Sequence, residues 1–67
     1  MSLNGFSMGD KVRVKKSTQG FTMGYTGKVV VLNHNKKNFN IGVILNGDQF
    51  DTTPYYFSSN ELEKLND

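Results

Sequence analysis

Val12 and Val14 alternate with Lys11, Arg13 and Lys15, the period of two that marks a strand with one buried face. Gly9-Asp10 punctuates the chain just before it. Residues 16–26 (KSTQGFTMGYT) are polar and glycine-containing and predict a long loop. Lys28 to Leu32 is β-branched and apolar, which predicts a strand at least partly covered on both faces. A polar turn over Asn33–Asn38 leads to a third strand, Ile41–Leu45. Asn46-Gly47 is a strong hairpin signal. Phe50–Phe57 predicts a fourth strand, with Pro54 breaking it or holding it at an edge. Ser58 and Glu61 have capping-box spacing around one helical turn. Leu62–Leu65 fits a short closing strand.

No segment keeps a helical period over three turns. Short strands at this spacing predict an all-β fold, a small antiparallel barrel of about five strands, because closure removes edges that a thin sandwich would expose. The expected core is Val12, Val14, Val29, Val31, Ile41, Val43, Leu45, Phe57 and Leu62. Residues 1–8, rich in Gly, Ser and Asn, are expected to be a flexible segment ahead of a single domain over 9–67. Gly24 and Gly27 flank the entry to the central strand, where positive φ or close backbone approach is expected. Gly42 predicts a bulge, or an aromatic ring lying over the backbone. In Tyr55-Tyr56-Phe57, alternation sends Tyr56 outward and packs Tyr55 and Phe57.

A chain of 67 residues has room for one thin core. It has no cysteine, which excludes disulfides, thiolate metal sites and a cysteine nucleophile, and fits a reducing, cytoplasmic setting. No apolar run is long enough for a bilayer, so no membrane association is expected. Abundant Asn and Lys hint at an AT-rich genome, bacterial or phage. Net charge is only +2, but it is unevenly spread. Residues 1–37 hold Lys11, Arg13, Lys15, Lys16, Lys28, Lys36 and Lys37 against Asp10 alone, a balance of +6. Residues 38–67 carry −4. That split suggests an acidic partner for the basic part. The plainer reading of these lysines is solvation of exposed strand faces and loops.

The residues GDKVRV, then a loop, then GYTGKVVVL and IGVIL resemble the KOW motif of SH3-like β-barrels. Gly9, Asp10, Val12, Val14, Gly24, Gly27 and Val29 are the matching positions, although the loop over 15–23 is longer than the compact KOW turn. Over more of the chain, GDKVRV, TGKVVVL and FSSNELEKL resemble the PsaE proteins of photosystem I and their relatives among electron-transport accessory proteins. Both resemblances imply an SH3-like barrel. The first implies nucleic-acid binding, and the second a place in a larger complex.

Catalysis is not expected, and neither is a cofactor. His34 is the only histidine and sits in a polar turn, so no metal set forms around it. Asp48 and Asp51 are too few for a Ca²⁺ loop and read as solvated carboxylates. The glycines of GFTMGYTG lack the Gly-Lys-Ser/Thr ending of a phosphate loop. Binding remains. One expectation is nucleic acid, held by the seven basic residues with Phe21, Tyr25 and Phe39 interleaved for stacking. The other is an acidic protein surface docked by the long first loop and by Tyr25, Tyr55, Tyr56 and Phe57. Proline-rich ligands are not expected without a Trp or an acidic first loop.

Overall fold

The computed structural model describes residues 2–16, 20–47, 50 and 52–65. Asp48 and Asp51 lie outside the described residues. The chain is all-β, with two short hairpin strands and a five-stranded antiparallel sheet curled into a half-barrel. The hairpin is β1 (Ser2–Leu3) with β2 (Phe6–Ser7). The sheet holds β3 (Lys11–Val14), β4 (Thr26–Leu32), β5 (Ile41–Leu45), β6 (Tyr55–Phe57) and β7 (Leu62–Lys64). Its order is β6-β5-β4-β3-β7. Four strands follow one another as a meander, and the last returns to pair with the first. Single 3₁₀ turns cover Gly20–Thr22 and Ser59–Glu61. The second is the expected turn, and its Glu61 carboxylate accepts the Ser58 N–H at 2.8 Å. This connectivity is compatible with an SH3-like fold.

Every expected core residue is buried except Val31. Its partial exposure has a local cause. The β4–β5 register runs Val29 to Val43, then Val31 to Gly42, and so steps across a bulge. One extra residue shifts the alternation by one. Leu32, paired with Ile41, packs on the core in place of Val31. Phe6 and Phe50 complete the core. The strand expected over Phe50–Phe57 begins only after Pro54. β5 ends at Leu45 and β6 begins only at Tyr55, where Asn46-Gly47 suggested a tight hairpin.

The N-terminal segment, expected to be flexible, carries β1 and β2 and places Phe6 in the core. Its turn is Asn4-Gly5, with φ of 51° and 89°. Two positive φ angles are what a tight type I′ hairpin needs, and Asn-Gly adopts them readily. The Asp10 carboxylate clips the hairpin down. It accepts the Ser7 N–H at 2.8 Å and lies 3.4 Å from the Lys64 ammonium. Lys64 also donates to the Gly5 carbonyl at 3.2 Å.

The two glycines flanking the central strand have different roles. Gly24, at φ 83°, closes the neck of the long loop by donating to the Val14 carbonyl at 2.9 Å. Gly27 does not adopt positive φ. Its expected close approach is what the structure shows: a Cβ there would collide with the Ile44 carbonyl oxygen and lie 2.7 Å from Val43 Cγ1. Gly42 does not itself bulge, as one expectation had it, but has an aromatic ring over its backbone, as the other did. It faces the bulge, and a Cβ would meet Val31 Cβ at 2.8 Å and the Tyr56 ring at 3.1 Å.

The packing around Gly27 is open to test. Gly27→Ala should destabilise by about 1–3 kcal/mol through overpacking against backbone. Gly20→Ala, with open space around it, should be neutral within about 0.5 kcal/mol. Urea unfolding of both variants checks this, and equal midpoints would refute the close approach. The Asp10 clip makes stability depend on acid. The Ser7 N–H, and then Lys64, hold the Asp10 carboxyl below its ordinary pKa of 3.8. A lowered folded pKa adds stability above the unfolded value, and this is lost as pH falls through the folded one. Thermal melts from about pH 5 to pH 2 should show this decline in the parent and a shallower one in Asp10→Asn.

Candidate functional site

Antiparallel pairing decides which basic side chains share a face, because directly opposed residues point the same way. Lys11 on β3 lies opposite Lys28 on β4, and Arg13 lies opposite Thr26. Lys28 in turn faces Ile44 on β5. The buried residues Val12 and Val14 alternate with Lys11 and Arg13, so Lys11, Arg13 and Lys28 stand on the outer face of the half-barrel, and all three are exposed. Like charges directly opposite on a sheet repel. Arg13 has an acidic cross-strand partner on its other side, Glu63 of β7.

A pocket of about 200 Å³ opens beside the two lysines, bounded by Lys11, Thr26, Gly27, Lys28, Asn46 and Leu65. The Asn46 amide donates to Thr26 Oγ1 at 3.1 Å. Because that oxygen accepts, the threonine hydroxyl hydrogen is left to donate elsewhere. The pocket lining is mostly apolar, with Lys11 and Lys28 and the Thr26 hydroxyl along its border. This chemistry suits an anion better than a cation.

The other basic residues lie further out. Lys15 and Lys16 follow β3, exposed, with their backbone N–H groups donating to the Glu61 carbonyl at 2.9 and 3.3 Å. Lys36 and Lys37 are exposed on the turn over 33–40. At about 3.3 Å per residue, that turn begins about 17 Å along the chain from Lys28. The seven basic residues thus form a central group with outlying pairs toward opposite ends of the sheet.

The aromatics divide as well. Tyr56 points outward and is 41% exposed, whereas Phe57 is fully buried and Tyr55 packs on the core, as alternation predicts. Tyr25 is half-buried against Phe50, with ring centroids 4.9 Å apart. Phe50 also meets Tyr55 at 5.7 Å and Phe21 at 6.4 Å, and Phe21 meets Tyr55 at 5.8 Å. These rings join the long first loop to the 46–54 connection. Phe21 lies on top, 62% exposed, with exposed Met23 two residues on. The hub of this cluster, Phe50, has no sequence signal of its own: it stands alone between polar neighbours.

His34 is exposed in its turn. Among the described residues, no three His, Cys, Asp or Glu side chains converge as metal ligands would. No helix among them is long and apolar enough to cross a membrane. Compared with the sequence models of known families and with curated proteins, the chain matches none.

The cluster separates structural rings from accessible ones. Phe50→Ala should cost about 3–5 kcal/mol, a large share of the stability of so small a domain. Phe21→Ala should stay within about 1 kcal/mol of the parent. Thermal melts followed by circular dichroism check both, and a Phe21 variant as unstable as the Phe50 one would refute the assignment.

Proposed function

We propose that this protein is a non-catalytic binding module that holds nucleic acid on the outer face of β3 and β4. The observation carrying the reading is the cross-strand pair Lys11–Lys28, with Arg13 on the same face and a pocket bordered by both lysines alongside. Two lysines opposed across the sheet with an arginine on the same face concentrate positive potential there, which attracts a row of phosphates. The likeness of GDKVRV and GKVVVL to the KOW motif agrees with it. Lys15, Lys16, Lys36 and Lys37 extend the basic track, and the reducing cytoplasm is the proposed setting.

A second reading has its own observation. Phe21 and Met23, exposed above the Phe50–Tyr55 pair, form an apolar surface suited to docking on a protein. The likeness to PsaE-like electron-transport accessory proteins agrees with that alternative.

Fluorescence anisotropy of labelled single-stranded oligonucleotides, at about 50 and 200 mM salt, separates the two. Binding should weaken steeply with salt and be abolished in Arg13→Glu with Lys28→Glu. Glu63→Gln, which removes the carboxylate facing Arg13, should tighten it. No binding even at low salt would overturn the nucleic-acid reading. A protein partner lost on Phe21→Ala would then support the second.

A further inference from the structure

Phe39 has an unusual backbone. Its φ is 51°, in the left-handed region that bulky side chains rarely enter. Nothing in its own chemistry favours that conformation, so its surroundings impose it. The Phe39 N–H donates to Ser58 Oγ at 3.0 Å. On either side, the Asn33 N–H donates to the Asn40 carbonyl at 2.9 Å, and the buried Asn40 amide donates to the Lys36 carbonyl at 3.1 Å. The turn is therefore fastened at both flanks while its aromatic residue is strained. The ring is not withdrawn into the core in return: Phe39 is 41% exposed. Exposed Lys36 and Lys37 precede it by three and two residues.

Backbone strain that a fold maintains without burying the residue concerned is concentrated at functional sites. A flat apolar ring held on a turn that also carries two exposed lysines has the parts of a single-strand contact: a face for a base, and cations for the adjoining phosphates. From this geometry we infer that Phe39 is a base-stacking residue, with Lys36 and Lys37 gripping the backbone beside the stacked nucleotide. The inference rests on the nucleic-acid reading and adds to it. The outer face of β3 and β4 takes phosphates without regard to strandedness. A stacking ring on the 33–40 turn selects unpaired bases, so the preferred ligand is single-stranded.

The chain contains no Trp, so Phe39→Trp installs a unique fluorophore at the ring in question. Its emission should be quenched by an oligothymidylate and left unchanged by an abasic oligonucleotide of equal length and charge. Phe39→Gly relieves the φ strain and removes the ring. It should melt no lower than the parent, yet bind the oligothymidylate about five- to a hundredfold more weakly. Duplex binding should hardly change. Three results would overturn the inference while sparing the wider reading: equal quenching by the abasic strand, parental affinity in Phe39→Gly, or a Phe39→Gly variant that melts well below the parent, since the ring would then be structural. Failure of the parent itself to bind any oligonucleotide would overturn both.

Discussion

The bulge in β4 sets the arrangement of the rest of the sheet. Before it, Val29 faces the core and Lys28 faces out; after it, Leu32 faces the core and Val31 does not. Without that extra residue, strict alternation would turn Leu32 outward and break the match between the start of β5 and the end of β4. The bulge also gives a strand its bend. Gly42 opposite it, and Gly27 pressed against the Ile44 carbonyl, let the neighbouring backbones follow that bend closely. The half-barrel is thus curved by one inserted residue and two missing side chains. The row of cations on its outer face is a by-product of the part of β4 where alternation still holds.

Much of this is legible in the residues. Lys11 to Val14 alternates without exception, and its burial follows that alternation. Ser58 and Glu61 advertise the last 3₁₀ turn. What is not legible depends on long-range partners. Val31 has the same side chain as its neighbours Val29 and Val30, so composition cannot say which of the three lies in a bulge. Phe50 becomes a hub only because the loop carrying Phe21 and Tyr25 folds over it. Phe6 is masked by the small polar residues around it, although Asn4-Gly5 between two apolar residues is a hairpin signal in plain view. The same dipeptide at 46–47 carries the same signal, and there the chain makes a longer excursion.

The candidate site shows the same division. That Lys11, Arg13 and Lys28 share a face follows from alternation plus register, and only the alternation is visible in one dimension. The pocket needs Asn46, which the sequence marks as a turn residue, to orient Thr26. The strained geometry of Phe39 has no sequence correlate, because its cause is a hydroxyl nineteen residues away.

The pairing of β3 with β7 has a consequence for how the chain acquires its structure. Val12 is aligned with Lys64, so the first long strand forms half its ladder with the last. Contacts between such distant segments require a large loop to close before they return any stabilisation, and topologies dominated by them fold slowly. During synthesis the β3–β4–β5 meander can pair as it emerges, whereas the outer edge of β3 stays open until residues 62–64 have left the ribosome. Throughout that interval Lys11, Arg13 and Lys15 line an unpaired strand edge, where their charge discourages another chain from adding to it. The cations proposed to attract a polyanion in the finished protein are therefore also placed to keep the half-made one from aggregating.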